Sequence, residues 1–280
     1  MLLLWIILFA GFGGIASAVV AVAFLWVSEE RSARILPHAV SFATGALLGA
    51  ALLALLPEAI EGAGSAAAHD IGLALIAGLG VFFVIEKLVL WWHAHSHNDD
   101  GEEHHHGEAH PPDQDDHSAR PAVAHDHGRE RASGVLVLVG DSIHNALDGV
   151  VIAAAFLGSV PLGLVTTFAV AAHEVPHRVG DFAILVHAGL SRPRALLLNL
   201  ATGIASVIGA IAAYFGLRAA GAVLPYALAF AAAGFLYIAV AGLIPGLHRR
   251  ADPRTSATQV LLISVGIAVI ALAERLTHRL

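Results

Sequence analysis

Apolar runs, each close to the roughly 20 residues a helix needs to cross a bilayer, recur along this chain. They lie at 2–27, 35–60, 71–92, 134–158, 161–189, 195–217, 223–247 and 258–276. A chain so patterned is expected to be an all-α polytopic membrane protein with eight transmembrane helices. The composition agrees, since 57% of residues are hydrophobic and 13% charged, against about 25% charged in soluble proteins. The first run has no basic leader. Ala16-Ser17-Ala18 resembles a signal-peptide cleavage site, but the apolar run continues beyond it, so the segment reads as a retained helix.

Two of the runs are interrupted by polar residues. One reads Asp141-Ser-Ile-His144-Asn145-Ala-Leu-Asp148-Gly149, the other His173-Glu174-Val-Pro176-His177-Arg178-Val-Gly180-Asp181. A charge at the bilayer centre costs at least about 2.5–3.5 kcal/mol, so such residues face a cavity or one another and serve a function. A helix turns by about 100° per residue. Measured from His144, Asp148 then falls at about 40°, Asp141 at about 60° and Asn145 at about 100°. Measured from His173, His177 falls at about 40°, Asp181 at about 80° and Glu174 at about 100°. Each helix therefore gathers imidazole with carboxylate or amide on one face, which is the ligand chemistry of a divalent metal.

The short connection Leu157–Pro161 makes the two helices antiparallel neighbours. Their faces predict a metal cage of His144, Asn145, Asp148, His173, Glu174 and His177. Asp141 and Asp181 form a carboxylate pair beside it, and His187 lies further along, so these three are read as a transport pathway. Six ligands exceed the four of tetrahedral zinc, which suits two adjacent ions or one ion handed on. Arg178, at the edge of the polar face of its helix, is within reach of Glu174 and Asp181. Pro176 predicts a kink or irregular turn, and Gly149 and Gly180 predict close backbone approach. Asn199 and Thr202 line the path or hydrogen-bond between helices. With no cysteine and Met1 the only methionine, soft-metal handling is disfavoured and Zn²⁺, Mn²⁺ or Fe²⁺ is favoured.

The net charge of −7 is local: residues 93–133 hold ten Asp/Glu and three Arg, and the remainder balances. The same segment has ten of the eighteen histidines. His93, His95, His97, His104, His105, His106, His125 and His127 are read as loop metal capture, on a segment expected to be disordered. The organisation is thus helices 1–3 over 1–92, a histidine-rich loop over 93–133, site helices 4 and 5 over 134–189, and helices 6–8 over 190–280. Loops after helices 1, 3, 5 and 7 carry ten Arg and the opposite side three. By the positive-inside rule both termini lie outside and the histidine-rich loop is cytosolic, in a cell (inner or plasma) membrane. Leu55-Leu56-Pro57 and Leu243-Ile244-Pro245 hint at an inverted 3+2+3 arrangement.

GDSIHNALDGVVIAAAF and HEVPHRVGDFAILVHAG resemble helices 4 and 5 of the ZIP (Zrt-, Irt-like protein) family, in particular the subgroup with an HExPHExGD helix 5. The resemblance implies uptake of Zn²⁺ or a related divalent ion into the cytosol, with the metal as substrate and no cofactor. It also implies a central site, often binuclear, on His144, Asn145, Asp148, His173, Glu174 and His177. The chain departs at Arg178, where the subgroup has Glu. It departs again at Ala54, Gly242, Gly246 and Ser206, where relatives place further polar ligands.

Two other readings compete. His173-Glu174-Val-Pro176-His177 spells the HExxH of zinc proteases, and Leu147-Asp148-Gly149 resembles the LDG of intramembrane site-2 proteases, but those enzymes place HExxH first. His144-xxx-Asp148 resembles the HxxxD pair of cation diffusion facilitators, which have six spans and a soluble C-terminal domain. A metal transporter, not an enzyme, is the expectation. Its partners are the metal and the bilayer, with a homodimer allowed for and no nucleic acid.

Overall fold

A computed structural model describes residues 1–25, 29–95, 126–248 and 252–277, and these are helical with no strand. Helix α1 spans Leu2–Leu25, and α2 spans Glu29–Gly49, continuing through a π-helical stretch Ala50–Leu55 into Leu56–Ala63. Helix α3 is Ala68–His95, α4 Asp126–Gly158, α5 Val160–His187 and α6 Arg192–Ala219. Helix α7 is Leu224–Tyr237, running on through a π stretch Ile238–Leu243 into Ile244–Leu247, and α8 is Pro253–Thr277. Helices α3 and α4 thus reach into both ends of the segment read as an unstructured loop. His97, His104, His105, His106 and His125 lie outside the described residues; His93 and His95 fall in the last turn of α3, and His127 in the first of α4. Good helix formers such as Glu130, Arg131 and Ala132 favour the extension.

Six described stretches are long and apolar enough to cross a membrane: Glu30–Ala63, Ser65–Leu88, Val137–Gly158, Arg192–Ala219, Gly221–Leu247 and Pro253–Leu276. Apolar side chains such as Leu4, Phe12, Ile76, Leu197, Ile204 and Val260 point outward and form the lipid-facing surface. The interior is built from small residues, with Ala153, Ala154 and Ala155 packed near Phe156, Leu162, Leu228 and Ala232. Helix α5 is as long as its neighbours, but its own polar residues His173, Glu174, His177, Arg178 and Asp181 lower its hydropathy.

Small residues matter because lipid supplies no hydrophobic drive between helices, so close van der Waals contact must hold them together. Helix α4 lies on α6 with backbone nearly touching: a methyl on Gly149 would sit 1.8 Å from the Ser206 carbonyl oxygen, and one on Gly209 would sit 2.1 Å from that of Ala146. Gly180 is different. Nothing lies within 4 Å of where its Cβ would be, so it borders open space and mediates no close approach.

The two π stretches stand in matching places, each ending two residues before a proline, Pro57 in α2 and Pro245 in α7. A proline lacks the N–H for the helical ladder and its ring crowds the carbonyl four residues back. Widening the preceding turn answers this, and Leu56 N–H donates to Ala51 O while Ile244 N–H donates to Ala239 O. At Pro176, where the sequence predicts an irregular turn, α5 stays α-helical throughout. Pro176 is buried, and packing by neighbouring helices lets a membrane helix tolerate proline. Helices α4 and α5 are joined by a tight hairpin in which Ser159 Oγ accepts from Leu162 N–H at 3.2 Å, capping α5.

Gly149→Val is expected to pry α4 from α6, an overpacking cost of at least about 1–3 kcal/mol, visible as a lower melting temperature in detergent. Gly180→Ala, with space around it, is expected to leave melting unchanged or slightly raised.

Candidate metal centre

Helical spacing on α4 and α5 brings the predicted ligands into two adjoining groups. In the first, single ligand atoms of His144, Asp148, His173 and Glu174 all lie within 4.8 Å of one another. His173 Nε2 is 3.4 Å from Asp148 Oδ2, His144 Nε2 is 3.7 Å from the same oxygen, and His144 Nε2 is 3.9 Å from Glu174 Oε2. With metal–ligand bonds of about 2.0–2.2 Å, tetrahedral zinc separates its ligands by about 3.3–3.6 Å. The observed spacings are close to that and too long for hydrogen bonds. Asp148 Oδ2, His173 Nε2 and Glu174 Oε2 are buried and make no hydrogen bond to a described residue. Leaving such groups unpaired is costly, whereas two imidazoles and two carboxylates suit a dication.

His173 is held for this role from behind. Its Nδ1 lies 3.1 Å from the Ala169 carbonyl. A carbonyl only accepts, so the proton sits on Nδ1 and the Nε2 lone pair faces the cage.

The second group is Asp141, His177 and Asp181. His177 Nε2 is 3.6 Å from Asp141 Oδ1 and 3.4 Å from Asp181 Oδ2. The His177 side chain is 46% exposed, while Asp141 and Asp181 are largely buried. The sequence groups His177 with the cage, yet here it sits with the carboxylate pair. Its ring centroid is nevertheless only 5.1 Å from that of His144, so it links the two groups. His177 lies four residues, a rise of about 6 Å, beyond His173 on α5, which brings it level with Asp141 and Asp181.

Asn145 is engaged elsewhere. Its Nδ2 donates to the Asp141 carbonyl at 2.8 Å and to Asp141 Oδ1 at 2.9 Å. Its Oδ1 accepts from Arg178 Nη2 at 2.8 Å. Arg178 is fully buried, and six oxygens surround its guanidinium. Nε donates to Ser17 Oγ at 3.1 Å. Nη1 donates to Asn199 Oδ1 at 2.9 Å, to Thr202 Oγ1 at 3.1 Å and, very closely, to the Asn199 carbonyl. Nη2 also forms an ion pair with Glu174 Oε1 at 2.8 Å, off the line of a hydrogen bond. Asn199 Nδ2 returns a bond to the Arg178 carbonyl at 3.1 Å. Gly203 leaves room for the guanidinium and lets α6 approach Gly14 of α1. Ser17, read only as part of a cleavage-like tripeptide, is thus a partner of the site; the signal for it was a hydroxyl inside an apolar run.

A cavity of about 680 Å³ borders both groups, lined by His144 and His173 as well as Asp141, His177 and Asp181. It extends past Ile184, Glu86, Tyr237 and Gly242, toward the end of the bundle where α3, α5 and α7 finish. Tyr237 donates to Glu86 at that mouth. His187 is exposed in the last turn of α5, with Nδ1 2.7 Å from the Ala183 carbonyl, and belongs to neither group. Ala54 is buried, Gly242 lines the cavity, and neither brings a polar group to the cage.

An apolar-skinned helical bundle with buried imidazoles and carboxylates on two neighbouring helices has the architecture of a membrane carrier for metal ions. Comparison with known proteins is specific: the ZIP zinc transporter family matches residues 1–274, and the chain belongs to that family. Zinc transporter ZIP13 of Homo sapiens is 34% identical over 278 residues, covering 87% of this chain and 72% of the relative. Zinc transporter SLC39A7 of Rattus norvegicus is 33% identical over 329 residues, covering 94% and 70%. ZIP13 of Danio rerio is 42% identical over 144 residues, covering 51% and 41%. The protein is an integral membrane metal-ion transporter, not an enzyme, and the metal is its substrate.

Asp148→Asn removes the negative charge from the side chain that both cage histidines face. It is expected to weaken Zn²⁺ binding by more than the roughly 10–100-fold typical of losing an outer-shell partner, measured by equilibrium dialysis of the purified protein.

Proposed function

We propose that this protein carries Zn²⁺, or a closely related divalent ion, from outside the cell to the cytosol through His144, Asp148, His173 and Glu174. The observation that carries the site is the convergence of two imidazole nitrogens and two carboxylate oxygens at near-tetrahedral spacing, three of the four atoms being buried without a hydrogen bond. Asp141, His177 and Asp181 then receive the departing ion. They line the same cavity and stand between the cage and its mouth. His187, exposed at the end of α5, takes the ion last.

Direction rests on charge. The mouth lies at the end of the bundle flanked by Arg31, Arg34, Arg192 and Arg194, and Arg-rich loops favour the cytosolic side. This orientation puts both termini outside and the 93–133 segment, with its histidines His93, His95, His97, His104–His106, His125 and His127, in the cytosol. There it buffers delivered ions and tunes uptake. The membrane is the cell (inner or plasma) membrane.

Eight spans in an inverted 3+2+3 order fit the recurring features. Helices α2 and α7 share a π stretch before proline. Glycines bring α2 close to α8 at Gly45 and Gly266, and α3 close to α7 at Gly78 and Gly234. Alternating access would then move α4 and α5, which carry the site, against the flanking helices. No phosphate-binding loop is present in the sequence, so the metal gradient or a coupled ion supplies the drive.

The test is uptake into proteoliposomes. Wild type is expected to accumulate Zn²⁺, with Cd²⁺, Mn²⁺ and Fe²⁺ as competitors that rank its preference. His177→Ala is expected to abolish flux while the protein remains in the membrane; normal uptake by that variant would remove His177 from the path. Deleting residues 97–125 is expected to shift apparent affinity and leave flux measurable.

A further inference from the structure

The cage has a second cation beside it, and that cation belongs to the chain. Arg178 is fully buried. A guanidinium has five N–H donors, and Ser17 Oγ, Asn145 Oδ1, Glu174 Oε1, Asn199 O, Asn199 Oδ1 and Thr202 Oγ1 all face it. An all-oxygen shell with a carboxylate in it is what a hard divalent ion takes. Here it is filled by an arginine, which stays charged in proteins. The shell adjoins the cage through one side chain: Glu174 turns Oε1 to Arg178 at 2.8 Å and Oε2 toward His144 at 3.9 Å.

We infer that Arg178 permanently occupies the position a second metal ion would otherwise take, so that the cage of His144, Asp148, His173 and Glu174 binds one divalent ion and no more. The inference rests on the assignment of that cage as the transport site. Asn145, one of the predicted ligands, then acts as a positioning residue: it ties Arg178 to Asp141 and does not contact the ion. Two consequences follow from elementary electrostatics. A second dication at that place would meet the guanidinium with no free carboxylate oxygen between them, and like charges at such range repel strongly in a low-dielectric interior. The resident charge also draws on Glu174, so the single transported ion is held less tightly than two full carboxylates would hold it, as release requires.

Two measurements decide the matter. The first is an anomalous-scattering map of the full-length wild-type protein loaded with Cd²⁺. One peak is expected among His144, Asp148, His173 and Glu174, with the Arg178 guanidinium ordered beside Asn145 Oδ1. A second peak contacting Asn145 and Glu174 Oε1 would overturn the inference and leave the cage assignment standing. An empty cage would overturn the assignment, and the inference with it. The second measurement counts bound Cd²⁺ by equilibrium dialysis in Asp141→Asn/Asp181→Asn protein, where the neighbouring trio is dismantled. One ion per chain is expected there, and two once Arg178→Glu is added. An unchanged count in correctly folded protein overturns the inference; if that variant does not fold, the wild-type map decides.

Discussion

An ionised carboxylate withdrawn from water and lipid headgroups must have a cation or hydrogen-bond donors within reach, and that requirement organises the interior of this protein. Among the described residues four acids are buried: Asp141, Asp148, Glu174 and Asp181. Asp141 accepts from Asn145 and faces His177. Glu174 shares its charge between Arg178 and the cage. Asp181 faces His177, and Asp148 has the two imidazoles of His144 and His173 near its Oδ2. Asp148, whose Oδ2 is buried and makes no hydrogen bond to a described residue, stands at the centre of the proposed metal site. On the proposed reading a divalent substrate would complete the balance, and its departure would leave a charge that favours the next arrival.

The same constraint explains why the helices pack as they do. Burying charge in a bundle requires the polar residues to be covered by neighbouring helices, and α5 packs against α1, α2, α4 and α6. Enclosure at that density needs small residues at the crossings, hence the near-contact of Gly149 with Ser206 and of Gly14 with Gly203. Arg178 contributes to this architecture as well as to electrostatics. Its partners come from α1, α4, α5 and α6, so one side chain joins four helices. Removing one partner of such a network would strand a buried charge, a far larger penalty than losing an ordinary hydrogen bond.

Two features of this sequence bear on one question. Arginine at 178 and the lack of polar side chains at Ala54, Gly242 and Gly246 both reduce the means of holding a second ion. A positive charge among auxiliary ligands would weaken them; here they are already sparse, and the oxygens near Arg178 serve the guanidinium. The two features are therefore mutually consistent.

Much of this was legible in the residues alone. Apolar runs of bilayer length fix an all-helical membrane fold, because a helix satisfies its own backbone groups where no water is present. The 3.6-residue period places His144, Asp141 and Asp148 on one face of α4 and His173, His177 and Asp181 on one face of α5, whatever else the chain does. Sequence periodicity carries angle but not the contacts made across helices. So it could not show that only four of the six expected ligands form the cage while His177 joins Asp141 and Asp181, nor that Asn145 faces an arginine. It marked Gly149 and Gly180 alike, though only one touches a neighbouring backbone. It expected irregularity at Pro176, while the π turns formed before Pro57 and Pro245. Those outcomes depend on which helix lies alongside, and only the tertiary structure decided them. Ser17, Asn199 and Thr202 read as scattered hydroxyls and an amide until packing gathered them around Arg178, a juxtaposition spanning 161 positions of chain in the case of Ser17.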